Sequence, residues 1–444
     1  MKRRNLLKGL GLSAAGYLGG SAFSFHRNWS HAPRKSEPVQ TRNTARNVVF
    51  VLLEGGPSHV DTWDLKTGRE TPDFLGAQNL GGFMWPSGIM PELAKIKDKF
   101  SIVRSISATE PVHERAVYHL TTAQRHDPSR VSEIPNFLSV MSYKLADQRR
   151  ASDSLPTVML FGETMVQNGF LPIEHRGLAL SEDGGIENLI HGHEAVNARF
   201  QLLNQLLAET SGSDERMERI KIQNQAQTLM NDQELQSLLG IGEEEGDDYD
   251  YSTKAVFMRQ CQSVARVLIA DKGARAIQMT LGGWDHHDNI YNREEGSLAS
   301  LSEALDAGLA YLINQLSSKP SSSGSGTLLD ETLIVAAGEF GRTTNGLNMQ
   351  AGRDHYPPAM SAFFAGGGVQ AGRIIGATDA TGSNILDPGW SQNRFMGIGD
   401  LVATMYSAMG VDWSERFTNT PSGRLFELTP SSNGPVYHIN SLFV

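Results

Sequence analysis

Apolar runs rich in β-branched residues recur along the chain and predict the strands of a buried sheet. The first run, NVVFVLL at 47–53, is apolar at almost every position and ends at Glu54 and Gly55. Continuous runs of this kind are typical of strands that are covered on both faces in a parallel sheet. Similar runs lie at 101–107, 157–161, 276–281, 332–337 and 361–365.

Segments with helical periodicity separate these runs. They cover 114–124, 136–148, 187–210, 254–272 and 297–316. Alternating strands and helices predict an α/β fold with a mostly parallel central sheet and helices on both faces. The polar segment 214–239 extends the third of these helices, so we expect a helical insertion at about 187–250 within one domain spanning 45–444.

Acids and histidines follow two of the predicted strands. The fourth apolar run leads into Asp285, His286 and His287, and the fifth leads into Glu339. A later loop holds the sequence RDH at 353–355. Open α/β sheets place their ligands at the carboxyl ends of the strands. Mixed carboxylate and imidazole donors suit a divalent cation, zinc first, with manganese or calcium as alternatives.

Composition narrows the class of partner. The formal net charge of the 444 residues is −10, which argues against a nucleic-acid partner because such proteins usually present a basic face. Hydrophobic residues make up 39% of the chain, an ordinary content for a globular protein. The single cysteine, Cys261, excludes a disulfide within the chain, and its apolar surroundings in the sequence predict a small buried side chain.

The amino-terminal segment MKRRNLLKG resembles the twin-arginine export signal, with Arg3 and Arg4 as the pair. The weakly apolar stretch at 10–23 is shorter than the roughly 20 residues that a spanning helix needs. We expect residues 1–44 to form a signal and linker, and the protein to be periplasmic or extracellular. Membrane contact is then expected only through an uncleaved signal. The alternative is a basic, disordered tail.

Several motifs together resemble the DUF1501 family of exported proteins. They are the twin-arginine start, GGPSHVDTWDLK (55–66), GGWDHHDN (282–289), GEFGRT (338–343) and GRDHYPPAMSAFFAGGGVQAGRIIGATD (352–379). The resemblance implies the fold of the alkaline phosphatase and sulfatase superfamily. It also implies two divalent ions beside a serine, threonine or formylglycine nucleophile, with the ions spreading the charge of the transferring group.

The same resemblance assigns metal-binding roles by position. The residues are Asp61, Asp285, His287, Glu339, Asp354 and His355. Glu54 is a less favoured alternative to Asp61. The family pattern Trp-Asp-Thr-His favours His287 over His286, and Asp354 could orient His355 instead of binding the metal.

Some of these residues also have a purely structural interpretation. Asp61 could cap the turn after the first strand, where aspartate is favoured. Glu339 and Arg342 could pair with each other. Arg342 and Arg353 could clamp an anionic ester, since guanidinium matches phosphate and sulfate geometry, or they could form ordinary salt bridges.

We expect catalytic roles for His113, from the resemblance, and for Arg342, from its guanidinium group. His113 occupies the position of the nucleophile in related phosphodiesterases, counting back from Thr122, and the Cys-x-Pro-x-Arg signature of formylglycine enzymes is missing from the sequence. His113 could be a metal ligand, a base that activates water or a direct nucleophile. Neutral imidazole favours the first two roles. Thr109 and Ser105 are alternative nucleophiles.

These features predict an exported metal-dependent hydrolase of phosphate or sulfate esters. The expected substrate is a small-molecule or glycan anionic ester. The alternative is a non-catalytic relative that keeps the fold, lacks the hydroxyl nucleophile and binds an anionic glycan or a protein. A histidine at position 113 favours this alternative, and the sequence leaves the oligomeric state open.

Overall fold

A computed structural model describes residues 39–162, 167–180, 233–239, 250–392, 394–430 and 434–443. The predicted signal, most of the linker after it and most of the predicted helical insertion lie outside the described residues. Within the described ranges, the helices are too short or too polar to cross a membrane.

A central sheet of nine strands organises the described part of the chain. Its strands are β1 (Asn47–Leu52), β2 (Phe100–Ser107), β3 (Val158–Phe161), β4 (Leu178–Leu180), β5 (Ala276–Thr280), β6 (Thr332–Ala337), β7 (Met360–Ala365), β8 (Ile374–Ile375) and β9 (Met396–Gly397). Across the sheet the order is β8-β2-β7-β6-β1-β5-β3-β4, and β9 also pairs with β2. The six predicted apolar runs correspond to β1, β2, β3, β5, β6 and β7.

Strand β7 reverses the direction of the sheet locally. It pairs antiparallel with β2 and with β6, whereas the other described pairings of the central sheet are parallel. The predicted mostly parallel sheet is therefore confirmed. The run at 361–365 is as apolar as its neighbours, because β7 too is buried along its whole length, so its pattern carries no sign of its direction.

Helices cover both faces of the sheet, as predicted. They are α1 (Pro91–Lys95), α2 (His113–Thr122), α3 (Phe137–Lys144), α4 (Gln233–Leu238), α5 (Thr253–Ala270), α6 (Leu298–Ser317) and α7 (Ile398–Ala408). Helices α1, α5 and α6 pack on the face that Val49 and Val51 of β1 present. Helices α2, α3 and α7 pack on the face presented by Val48, Phe50 and Leu52.

The longest helices begin where the sequence offers a cap. The hydroxyl of Ser252 accepts from a backbone N–H at the start of α5, and Ser297 does the same for α6. Cys261 of α5 is fully buried, which confirms the predicted small buried side chain. Helices α1 and α7 lie outside the predicted helices.

Short elements connect the strands and helices. The 3-10 turns are His59–Asp61, Asp73–Leu75, Lys97–Lys99, Ala146–Gln148, Ile173–His175 and Asn440–Leu442. The small ribbons pair Ala77–Asn79 with Met84–Pro86, Gly341–Arg342 with His355–Tyr356, Ala377–Thr378 with Ile385–Asp387, and Arg416–Phe417 with Phe426–Glu427.

Candidate metal centre

The segments that follow neighbouring strands place polar residues at one edge of the sheet. Strands β5, β1 and β6 lie side by side and run parallel, so the segments that follow them meet. These segments carry Asp285 and His287 after β5, Gly55 after β1 and Glu339 after β6. Strand β2 runs in the same direction, because β7 is antiparallel to both β2 and β6, and the chain after β2 enters α2 at His113.

The reversed strand β7 brings the loop of His355 to the same edge. Because β7 begins where the other strands end, the residues that precede it lie beside the segment after β6. A two-residue ribbon fixes this loop, with His355 opposite Arg342 and Tyr356 opposite Gly341. The antiparallel direction is therefore what places the late histidine in the site.

Four side chains converge at this edge. His113, Asp285, His287 and His355 each offer one donor atom, and these atoms lie within 4.8 Å of one another. The Nε2 atoms of His287 and His355 are 2.9 Å apart, and Oδ1 of Asp285 lies 3.2, 3.1 and 3.3 Å from Nε2 of His113, His287 and His355. Ligand atoms of a tetrahedral zinc site, each about 2.0–2.1 Å from the metal, are roughly 3.3 Å apart. The distances from Asp285 to the three histidines, and between His287 and His355, are therefore close to those between the ligands of a single cation.

The second ring nitrogen of each histidine contacts an acceptor. The partners of Nδ1 are Oε1 of Glu339 for His113 (2.6 Å), Oδ1 of Asp354 for His287 (2.9 Å) and the carbonyl oxygen of Pro111 for His355 (2.6 Å). Ionised carboxylates and carbonyls only accept hydrogen bonds, so each Nδ1 carries the proton. Each Nε2 then presents a lone pair to the centre, which is the arrangement that metal-binding histidines show.

Lone pairs that face one another at this distance repel unless a proton or a metal ion lies between them. Nε2 of His113 is buried and has no hydrogen-bond partner among the described residues, although Asp285 is near it. Buried polar atoms without a protein partner are rare in native proteins, and a role in binding an ion is one of the reasons for them. Three imidazoles and one carboxylate are a donor set typical of zinc, whereas calcium takes oxygen ligands.

Arg342 lies behind Asp285 and is buried. Its guanidinium donates to Oδ1 of Asp285 at 2.5 Å. The remaining N–H groups donate to the carbonyl oxygens of Gly55, Gly56 and Arg353. Within the described residues, Arg342 thus pairs with Asp285 and not with Glu339, and it is turned away from solvent.

Glu339 supports His113 from inside the fold. Its fully buried carboxylate accepts from the backbone N–H groups of Gly55 and Gly56 as well as from Nδ1 of His113. Gly55 has a φ of +112°, and a Cβ there would lie 2.6 Å from the backbone nitrogen of Asp285. The turn after β1 can therefore hold Glu339 in this way only with glycine at position 55.

Asp354 orients His287, and not His355 as the sequence suggested. Its Oδ1 accepts from Nδ1 of His287 at 2.9 Å and from Nδ2 of Asn348 at 3.1 Å. Asn348 also donates to the carbonyl oxygen of His287 at 2.9 Å. The loop before β7 therefore holds both the ring and the backbone of His287.

The structure places Asp61 outside the cluster. Its buried carboxylate receives the guanidinium of Arg353 at 2.7 and 3.2 Å, the hydroxyl of Ser58 at 2.5 Å and that of Tyr291 at 2.7 Å. Both oxygens are occupied, so Asp61 ties the loop of His355 to the turn after β1. Arg353 is committed to this pair and is not an exposed clamp for an anion.

Neighbouring charges and burial shift the pKa values of the cluster. Burial would raise the pKa of Asp285, but the hydrogen bond and charge of Arg342, together with the adjacent histidines, lower it well below its usual range. The hydrogen bond to Glu339 raises the pKa of His113 against the effect of burial. Burial lowers the pKa of His355. An ionised Asp285 and a neutral His355 are the forms that bind a metal ion.

The comparison with protein families agrees with the motifs. The sequence profile of the family described as "Protein of unknown function (DUF1501)" matches residues 45–439. The chain belongs to this family. No curated protein matches it.

Solved structures resemble this DUF1501 protein only distantly. Ps i-CgsB is 13% identical, with 83% of this chain and 72% of that chain covered and a TM-score of 0.43. A protein in the alkaline phosphatase superfamily from Vibrio parahaemolyticus is 12% identical (84% and 69% covered, TM-score 0.38). The PsFucS1 sulfatase from Pseudoalteromonas sp. is also 12% identical (83% and 68% covered, TM-score 0.38). TM-scores this low carry no argument about the chemistry of the site.

Two of the groups that orient the histidines of this DUF1501 protein could not be predicted from the sequence. The carbonyl of Pro111 and the side chain of Asn348 have no pattern that marks them. The pair Gly55 and Gly56 directly after a buried strand was the available signal, because adjacent glycines there indicate a close backbone approach. His286 bonds only to main-chain carbonyls in the described residues and stays outside the cluster.

The alternative nucleophiles are placed differently from His113. Ser105 is buried and donates to the carbonyl oxygen of Pro388 at 2.9 Å, so it is engaged within the fold. Thr109 is exposed on the segment that leads to Pro111. Of these residues, His113 alone belongs to the cluster.

Proposed function

We propose that this DUF1501 protein is an exported metal-dependent hydrolase of phosphate or sulfate esters. The observation that supports the proposal most is the convergence of three Nε2 lone pairs on one carboxylate oxygen. These donor atoms can bind a cation together. They lie at the edge of the sheet where α/β enzymes bind their ligands.

The residues of the proposed site have two roles: some would bind the cation, and others orient these ligands. The proposed ligands are His113, Asp285, His287 and His355, and the orienting groups are Glu339, Asp354 and the carbonyl of Pro111. Bound there, a divalent cation would polarise an ester oxygen and lower the pKa of a water molecule. Zinc suits the donor set best, and manganese is the alternative.

An ester can approach the cluster from solvent. The side chains of Asp285 and His287 are each 45% exposed, and that of Asp354 is 56% exposed. Val112 and Met349 are exposed apolar side chains on the two loops beside them. A small-molecule or glycan ester could therefore reach the centre without any opening of the fold.

The proposal of an anionic ester follows the resemblance to the alkaline phosphatase and sulfatase superfamily. Arg342 and Arg353 are both buried and bonded to protein groups, so we do not assign them to the substrate. The cation itself would meet the negative charge of the ester. Because Nδ1 of His113 bonds to Glu339 and Nε2 faces the centre, we assign the attack to water and not to a side chain.

Metal analysis followed by an ester panel tests the proposal. The full chain, purified after export, is expected to hold zinc or manganese and to hydrolyse at least one phosphate or sulfate ester. His287→Ala should lose both the metal and the activity. His286→Ala is the matched control, because that neighbour contacts only backbone carbonyls in the described residues, and it should keep both. A wild-type protein that is purified without metal and stays inactive after zinc or manganese is added would refute the proposal.

A binding protein without catalysis is the second candidate. The residue that favours it is His113, which stands where a hydroxyl nucleophile is expected from the resemblance. A wild type that holds a metal, binds sulfated or phosphorylated glycans and hydrolyses none of them would support this candidate. Turnover of any ester that is lost in His287→Ala would support the hydrolase.

Export is part of the proposal and rests on the amino-terminal motif. Residues 1–38 lie outside the described residues, so the twin-arginine signal stays a prediction from Arg3 and Arg4. A periplasmic or extracellular location would suit a hydrolase of glycan esters, because such substrates occur outside the cytoplasm.

A further inference from the structure

Most of the carboxylates around the cluster are already bound by protein donors. Glu339 accepts from two backbone N–H groups and from His113, and Asp354 accepts from His287 and Asn348. A second ion that used Glu339 would have to break these hydrogen bonds, whereas both hydrogen bonds to Asp354 end on Oδ1 and leave Oδ2 as a single oxygen on that side. One oxygen does not make a second site, and the convergent ligands of the described residues form one set, the one built on Asp285.

A fixed positive charge already stands beside that set. The guanidinium of Arg342 lies 2.5 Å from Oδ1 of Asp285 and 3.5 Å from Nε2 of His287. Its side chain is 1% exposed. The carbonyls of Gly55, Gly56 and Arg353 hold it there, so it cannot swing into solvent to make room for a cation.

The charge balance of the cluster agrees with a single divalent ion. Asp285, Glu339 and Asp354 contact the histidines as carboxylates, and Arg342 is the cation that contacts the same set in the described residues. Two negative charges remain, which one divalent ion neutralises. A second ion would leave an excess of positive charge in a partly buried site, beside a guanidinium that water hardly screens.

We propose that this centre takes one divalent cation and that Arg342 supplies the second positive charge. The inference rests on the proposed function, because it concerns the same metal centre. It differs from what the resemblance to the superfamily implies, which is a pair of ions. Arg342 is then a positioning residue that holds Asp285 and excludes a second ion.

The number of ions can be measured on the wild-type full chain. The protein is saturated with zinc, freed of excess by gel filtration and analysed by mass spectrometry of the metal. We expect one zinc per chain and no metal–metal scattering at about 3.5–4 Å in X-ray absorption, the separation of two-metal sites. Two zinc ions per chain, or a metal–metal signal, would overturn the inference while leaving the proposed function intact. A chain that binds no zinc would overturn the proposed function, and this inference with it.

Variants at position 342 test the role of the guanidinium. Arg342→Gln removes the charge and should admit a second zinc at least ten-fold weaker than the first, whereas Arg342→Lys should stay at one. Arg394→Gln is the control, because it removes a guanidinium that pairs with Asp400 of α7 outside the cluster, and it should also stay at one. A folded Arg342→Gln variant that still takes only one zinc at high concentration would show that Arg342 does not exclude the second. If this variant does not fold, the wild-type measurement still decides the number of ions.

Discussion

The histidines of this protein differ in what their ring nitrogens contact. His286 and His287 are adjacent, yet His286 bonds to backbone carbonyls while His287 has Asp354 on Nδ1 and turns Nε2 into the centre. A carboxylate on Nδ1 fixes the tautomer and raises the basicity of the other nitrogen. The carboxylates that contact Nδ1 of the proposed ligands should therefore affect the affinity for the metal.

Replacing Asp354 by asparagine tests this control. The amide lacks the negative charge that supports His287, so we expect Asp354→Asn to weaken zinc binding by about 10- to 100-fold. Asp98→Asn is the control, since Asp98 is exposed, pairs with Lys97 and precedes β2, at the opposite end of that strand from His113. Competition with a chromophoric chelator measures both affinities. Equal zinc affinity in the two variants would remove Asp354 from the metal centre.

The glycine at position 55 gives a second prediction for single residues. Gly55 has a positive φ, and a Cβ there would clash with the backbone of Asp285, so Gly55→Ala should destabilise the protein by more than about 1 kcal/mol and weaken zinc binding. Gly282 lies in the motif that carries Asp285, and it has an ordinary φ and open space around it. Gly282→Ala should therefore change the free energy of unfolding by less than about 1 kcal/mol. Chemical denaturation of both variants distinguishes these outcomes, and an equal effect of the two would contradict the argument.

Among the elements, helix α1 depends on a cap from another helix. Its N-cap residue is Met90, which offers no side-chain oxygen. Asp306 of α6 accepts from the backbone N–H groups of Glu92 and Leu93 at 2.8 and 2.7 Å and so takes the place of the cap. Asp306 is buried, and this burial raises its pKa to about 6.

The raised pKa of Asp306 predicts a pH dependence of stability. The folded protein holds this proton up to a higher pH than the unfolded chain, so the contribution to the free energy of unfolding is largest below the ordinary value of 3.8 and is lost as the pH rises through about 6. The loss amounts to about 3 kcal/mol. Asp306→Asn has no proton to release, so its stability relative to wild type should improve between pH 4 and pH 7. Denaturant unfolding of both proteins over this range measures the difference, and a constant difference would refute the assignment.

At the scale of the whole molecule, the proposed cation would link distant parts of the chain. The four proposed ligands come from segments after β2 and β5 and before β7, which lie far apart in sequence. A cation that binds them in the folded state and not in the unfolded state must stabilise the fold as a whole.

Thermal unfolding with and without zinc checks this linkage. At a free zinc concentration of 100 times the dissociation constant, the gain is about 2.7 kcal/mol, and the melting temperature should rise accordingly. His287→Ala, which lacks one ligand, should show no rise. A wild-type protein whose melting temperature is the same in zinc and in chelator would count against a metal centre.

The proposed export signal would also act on the whole molecule. Replacing Arg3 and Arg4 by lysine keeps the charge but removes the arginine pair, so the double variant should remain in the cytoplasmic fraction. Lys2→Arg is the control and should be exported like the wild type. Immunoblots of fractionated cells measure the distribution. Normal export of the double variant would exclude the twin-arginine route.

The sequence by itself determined the main strands and several residues of the candidate site. The apolar runs predicted β1, β5 and β6 within a few residues, because strands buried on both faces must be apolar throughout. The motif residues Asp285, His287 and His355 could likewise be named from their positions after strands and in the family-like motifs.

Only the tertiary structure decided which residues meet. The reversed direction of β7 brings His355 to the centre and is set by packing between strands. A uniformly apolar run does not indicate the direction of its strand. Asp61 looked like a ligand from its place in a motif, but Arg353 lies near it only in the folded chain. Hydrogen bonds between segments far apart in sequence depend on distances, and distances become fixed only when the whole sheet has formed.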